Sequence, residues 1–190
     1  MSVELTDGTI LLRPWRVEDV DAVYGAVRES FAELSQWMPW CHENYRKEET
    51  STFLMSREEA WRNDTEYGFA ILEPETKLLI GSVGLNQINR PYRMANLGYW
   101  VRTGWTGRGV ALRATLLGAR FAFEQLKFER IEIMAAVGNL ASQRVAEKAG
   151  AVREGILRRR LWVGEQPHDA VLFSLLAEDL NIRKEGQDQV

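Results

Sequence analysis

Between Val110 and Lys127 the charged side chains fall only at Arg113, Arg120, Glu124 and Lys127, spaced seven, four and three residues apart. On a helix that spacing draws one narrow stripe and leaves the rest of the circumference apolar. A helix of this kind must be covered on most sides, as happens when it packs on a sheet, so the chain reads as an α/β domain. Directly before it, the run Thr106-Gly107-Arg108-Gly109-Val110-Ala111 sets two glycines at the helix start. Glycine lets the backbone bend sharply and approach a ligand closely. The first amides of a helix lack intrahelical partners and carry the positive end of its dipole. Such a turn suits a phosphate or diphosphate, and it is equally an ordinary tight turn.

Two well-known phosphate loops fail on spacing. A dinucleotide fingerprint needs a glycine three positions after Gly109, where Leu112 stands. A Walker loop needs Lys and Ser/Thr after the second glycine, where Val110 and Ala111 stand.

The rest of the chain supplies a sheet for that helix. Thr9–Trp15 has strand composition bounded by Pro14, and from Glu18 the apolar positions Val20, Val23, Tyr24, Val27 and Phe31 take helical spacing. A second helix is expected over Lys47–Arg62. Three strands follow at Tyr67–Leu72, Leu78–Ile88 and Met94–Val101, arranged as a meander. After the long helix come a strand at Arg130–Val137, a short helix at Leu140–Ala149 closed by Gly150, and a hairpin of Val152–Val163 with Asp169–Leu176 across GEQPH. Residues 1–180 read as one domain, with a polar tail at 181–190. The net charge of −3 argues against a nucleic-acid surface, and the single cysteine, Cys41, excludes an internal disulfide. No apolar run approaches membrane-spanning length, and MSVELTDGT lacks the basic-then-apolar layout of a signal peptide, so a cytoplasmic protein is expected.

The loop Thr106–Ala111 resembles the acyl-CoA loop of the GNAT N-acetyltransferases, Gln/Arg-x-x-Gly-x-Gly/Ala, with Thr106 departing from the pattern at the first place. The element order also resembles the GNAT fold. The resemblance implies a largely antiparallel seven-stranded sheet, splayed at its fourth and fifth strands, with about four helices. Asn139-x-x-Ser142 followed by Glu147-Lys148-Ala149-Gly150, the strand Tyr99-Trp100-Val101, and Trp37-Met38-Pro39-Trp40 resemble motifs of the RimJ/RimL branch, whose known members acetylate ribosomal-protein N-termini. What this implies is direct attack of a primary amine on the thioester of acetyl-CoA, with no metal. The amine belongs to a protein N-terminus or a small molecule, and a homodimer is expected. Thr106, Gly107, Arg108, Gly109, Val110 and Ala111 would hold the diphosphate. The backbone of Tyr99, Trp100 and Val101 would pair with the pantetheine arm. Asn139 and Ser142 would lie at the thioester, with Ser142 as proton donor to the leaving thiolate, because Ala146 stands where many relatives carry a tyrosine.

The residues themselves leave several roles open. Asn139 is a natural helix N-cap as well as a ligand contact. Ser142 shares the apolar face of Val145, Ala146 and Ala149, so its hydroxyl needs a partner, either a backbone carbonyl or a ligand. Glu66 is the first choice of base for the incoming amine, with Glu33, His42 and His168 as further candidates. Cys41 beside His42 is a candidate nucleophile without a third group to orient it. Trp61 is expected in the core, while Trp37 and Trp40 either pack or wall an acceptor cleft. Arg158 and Arg160 either share a strand face toward an anion or form a solvated edge. The rival to catalysis is a CoA-binding sensor on the same fold.

Overall fold

The computed structural model describes residues 3–182, so the expected polar tail falls outside the described residues from residue 183 onward. One sheet is built from β1 (Leu5–Thr6), β2 (Leu11–Pro14), β3 (Tyr67–Leu72), β4 (Leu79–Asn89), β5 (Met94–Val101), β6 (Arg130–Ala136), β7 (Val152–Val163) and β8 (Gln166–Leu175). Its strand order is β1-β2-β3-β4-β5-β6-β8-β7. All neighbours are antiparallel except β5 and β6, which run parallel. The helices are α1 (Val20–Glu29), α2 (Phe31–Leu34), α3 (Lys47–Arg62), α4 (Val110–Glu124) and α5 (Leu140–Lys148).

The class is the expected one, with eight strands instead of seven and five helices instead of four. The additional strand, β1, is two residues long, too short to carry a periodicity. The additional helix arises because fully buried Ser30 interrupts the first one. Its hydroxyl accepts the Thr103 amide at 3.0 Å, which fixes the junction against the loop after β5. Helix α4 ends at Glu124, three residues earlier than expected, and Lys127 turns the chain out at φ 56°. The final hairpin is tighter than GEQPH suggested: β8 already begins at Gln166, and Gly164 makes the turn at φ 59°.

Pleating divides the apolar residues between two faces. Leu12, Phe69, Ile71, Leu85, Leu97, Ile133 and Phe173 pack with Ala114, Ala119, Phe121 and Ala122 of α4 and Ala146 of α5. Leu11, Ala70 and Leu72 face Val23, Val27 and Leu54 of α1 and α3. At Gly118 an added Cβ would meet Leu97 Cδ1 at 3.3 Å, so a larger residue would lift α4 from β5.

The feature that makes a site is the β5–β6 pairing. It covers only Met94 with Arg130, Ala95 with Ile131 and Asn96 with Glu132. Beyond that, β5 follows β4 as far as Val101 opposite Gly81, and β6 follows β8 as far as Ala136 opposite Ala170. The sheet therefore forks. Arg93 closes the joined end by donating to the Lys127 carbonyl at 2.7 and 3.0 Å, and the Glu129 amide donates to the Arg93 carbonyl at 2.7 Å.

Arg130, at the joined end, reaches over β8 to β7. It donates to both oxygens of Glu154 at 2.7 and 2.6 Å, and Ser174 Oγ donates to the same carboxylate at 2.7 Å. Arg130 first and Ser174 second hold the Glu154 carboxyl down to about 2, against an ordinary 4.5. A depressed native pKa contributes stability that is complete above about 4.5 and lost as pH falls toward about 2. Glu154 is about one-third exposed, so solvent screening reduces the contribution to on the order of 1 kcal/mol. Glu154→Gln should lower the melting temperature by about 2–4 °C at pH 7. In calorimetry across pH, the gap to wild type should narrow below about pH 4.5 and close near pH 2. A gap that persists unchanged at low pH would assign the loss to packing.

Candidate active site

Where β5 and β6 part, a cleft of about 560 Å³ passes through the sheet. Gly98, Tyr99 and Trp100 line it from β5, Ile133 to Ala136 from β6, and Ser82, Gly84 and Asn86 from β4. Of the expected site residues, Glu66, Tyr99, Trp100, Asn139 and Ser142 line the cleft together. Val101 and the loop Thr106–Ala111 do not line it; the loop lies at the N-terminus of α4.

That loop has the geometry an anion needs. Gly107 and Gly109 take φ values of 74° and 79°, in the left-handed region where glycine is favoured, and no side chain caps the turn at Gly109. Val110 is buried, so it offers its amide and not its side chain. Thr106 Oγ1 donates to the Thr103 carbonyl at 2.9 Å, which turns the departing residue back onto its own loop. Arg108 stacks its guanidinium over Trp105 at 5.1 Å. These uncapped amides and open glycines fit the diphosphate of acetyl-CoA. Among the described residues no group of His, Cys, Asp and Glu could hold a metal ion.

The fork's second wall is the start of α5. The Asn139 side chain accepts the Ser142 amide at 3.0 Å, so it is an N-cap that also lines the cleft. Ser142 does not bond back to a neighbouring carbonyl through its hydroxyl. Its Oγ meets the Tyr99 phenol at 3.0 Å, and the same phenol lies 3.3 Å from the Ser142 carbonyl. Burial pushes the Tyr99 pKa up, and the Ser142 hydrogen bond offsets part of that. From the sequence, only the main chain of Tyr99 has an expected role. Strand alternation was the available signal, since it sets Tyr99 on the α4–α5 face and Trp100 on the other.

On the α1–α3 side the cleft is aromatic. The ring of Trp37 packs 3.5 Å from where a Gly138 Cβ would stand, beside Asn139. Trp40 lies 6.4 Å from Trp100 and 6.0 Å from Tyr45 between ring centroids. Both tryptophans therefore wall the cleft, whereas Trp61 is core, edge-on to Tyr67 and Phe69. Glu66 lines the cleft in an ion pair with Arg57, whose guanidinium stacks on Phe53 at 4.9 Å. Burial draws the Arg57 pKa down. His42 bonds Glu49 at 2.9 Å, and Glu49 also accepts the Arg46 amide.

Several candidates drop out. Glu33 and His168 do not line the cleft, and Glu33 instead accepts from Thr103 Oγ1 at 2.9 Å. Cys41 is buried and its thiol is pushed up by burial, which removes the nucleophile reading. The arginine run does not simply alternate. The β7 register shifts between Leu157 and Leu161, with Arg159 at φ 51° and its amide on Asp169. Arg160 donates to Gln87 at 2.9 Å.

Residues 9–152 match the acetyltransferase (GNAT) domain. YjcK of Bacillus subtilis, provisionally named an N-acetyltransferase, is 32% identical over 90% of this chain and 96% of its own length. YdaF of the same organism, provisionally named a ribosomal N-acetyltransferase, is 37% identical over 53% of this chain and 55% of its own. In three dimensions the chain is similar to Mycobacterium smegmatis RimJ in complex with CoA-disulfide, with a TM-score of 0.82 and 24% identity, covering 94% of this chain and 88% of that one.

Replacing Gly109 by Ala forces a side chain into the left-handed turn at the start of α4. Gly109→Ala should weaken CoA binding roughly tenfold by calorimetry and cost about 1 kcal/mol of stability. Unchanged affinity would show that these amides do not hold the diphosphate.

Proposed function

Because the chain belongs to the GNAT acetyltransferase family and is an N-acetyltransferase using acetyl-CoA, we propose that its acceptor is the α-amine of a protein N-terminus. The observation that supports this reading is the state of the carboxylates in the cleft. Only Glu49 and Glu66 line it among the described residues, and both are engaged, Glu49 by His42 and the Arg46 amide and Glu66 by Arg57. Such a site offers modest help in removing a proton. An α-amine near pKa 8 costs about 1.4 kcal/mol to deprotonate at pH 7, and a lysine near 10.4 costs about 4.6 kcal/mol. The first suits a weakly assisted site and the second does not.

In this reading the amides of Gly107–Ala111 hold the diphosphate. The free edge of β5 at Tyr99–Val101 pairs with the pantetheine arm and offers an N–H to the developing oxyanion, a contribution of about 3–4 kcal/mol where such donors are removed. Glu66 takes the amine's proton, and Ser142, set by the Asn139 cap, gives one to the sulfur. Trp37, Trp40 and Trp100 shape the acceptor channel. The acceptor class is consistent with a cytoplasmic enzyme. Edge strand β7, with Ile156 50% and Trp162 60% exposed, offers a surface for pairing with a second copy.

Mass spectrometry at pH 7 on two peptides tests the acceptor, one with a free N-terminus and no lysine, the other blocked and bearing lysine. The first should be favoured about two-hundredfold, the ratio set by the free-amine fractions. Preference for lysine would overturn the proposal. Glu66→Gln should slow turnover about tenfold or more at pH 7 and approach wild type above pH 8, where the amine is already free. Ser142→Ala should lose turnover while keeping acetyl-CoA affinity.

A further inference from the structure

Tyr99 of strand β5 and Ser142 of helix α5 both line the cleft, and their side chains meet there. The phenol oxygen lies 3.0 Å from Ser142 Oγ and 3.3 Å from the Ser142 carbonyl. A phenol has one proton to give, and a carbonyl only accepts. With the Tyr99 proton on the carbonyl, the serine hydroxyl donates to Tyr99. With that proton on Ser142 Oγ, the serine proton is free to point into the cleft. The pair thus has two hydrogen-bond arrangements, and the second presents a donor to whatever occupies the fork.

We propose that Tyr99 is a positioning residue for departure of the CoA thiol: it turns the Ser142 hydroxyl toward the sulfur and resupplies the proton that Ser142 gives up. This rests on the reading of Ser142 as the group that touches the sulfur. As the carbon–sulfur bond breaks, sulfur takes the Ser142 proton, Ser142 takes the Tyr99 proton, and solvent reprotonates the tyrosinate. The proton lost by the amine leaves through Glu66, so acyl transfer from a neutral amine is proton-neutral overall. A lone alcohol holds its proton too tightly to serve a thiolate. A phenol is a stronger acid than an alcohol and stands closer to a thiol, a margin that burial of Tyr99 narrows by raising its pKa. Burial keeps Tyr99 protonated through the working range, so the relay starts loaded. No tyrosine comes from α5 itself, and Ala146, one turn after Ser142, is fully buried.

Two measurements on full-length wild type, Tyr99→Phe and Ser142→Ala test this. In the first, the thiol of bound CoA is titrated by its thiolate absorbance in the ultraviolet. It should ionise about one pH unit lower in wild type than in either variant, because a donated hydrogen bond favours the thiolate. Equal ionisation in wild type and Tyr99→Phe overturns the proposal. In the second, single-turnover transfer is timed with acetyl-CoA and with an analogue carrying an arylthiol in place of the alkyl thiol, a leaving group acidic enough to depart without a proton. Tyr99→Phe should be roughly tenfold to hundredfold slow with acetyl-CoA and within about threefold of wild type with the analogue. Both rates come from one preparation, so a partly unfolded variant scales them alike. A deficit of equal size with both donors reduces Tyr99 to packing and overturns the proposal. A donor-dependent deficit in Ser142→Ala but not in Tyr99→Phe overturns the tyrosine's part alone, and none in either removes the serine reading with it.

Discussion

Everything in this molecule depends on two parallel strands that agree to pair for three residues and then part. From Leu97 and Ile133 onward, β5 and β6 each keep one hydrogen-bonded neighbour and turn an unpaired edge toward the other. Backbone groups withdrawn from a ladder need other partners, and an extended amide-bearing arm entering the fork would supply them. In the proposed reading the pantetheine portion of acetyl-CoA is that arm. A fully zipped sheet would be more stable and would have no place for it.

An opening in a sheet survives only if its ends are held. The joined end is fixed by Arg93 on the Lys127 carbonyl and by Arg130 reaching to Glu154, which Ser174 also holds, so β6 is tied across β8 to β7. The open end is held from the other side. Arg102, just past β5, donates to Glu29 at 2.9 Å, and the Thr103 amide donates to Ser30. Those contacts tie the exit of β5 to the α1–α2 junction, while α4 presses on β5 through Gly118. Polar contacts thus hold both ends of the fork.

What the sequence disclosed follows from how each feature is encoded. The apolar α4, the left-handed glycines and the meander are written in local periodicity or in residues with one conformational use, and they were legible. The short elements β1 and α2 have too few residues to show a period. The Ser30 interruption that creates α2 depends on Thr103, 73 residues away. At the site, Asn139 was legible as a cap because capping is local. Tyr99 with Ser142 was not, because that bond spans 43 residues and exists only once β5 and α5 face each other. Arg57 was missed for the same reason. On α3 it reads as a solvated helix residue, and only the return of β3 brings Glu66 against it.

The alternation of one strand would let the two opposed proton movements of the proposed reaction share a small cleft. Adjacent residues on β5 point to opposite faces, so Tyr99 meets Ser142 on the α4–α5 side while Trp100 joins Trp40 on the α1–α3 side. In the proposed reaction the sulfur departs toward the first pair, and the amine arrives along the aromatic side, where Glu66 also lies. In that reading the two proton groups act from opposite faces of one strand. A solid sheet would isolate them completely, and an open cavity would let them meet. In the proposed reading the fork would bring the thioester carbonyl to a level that both faces can reach.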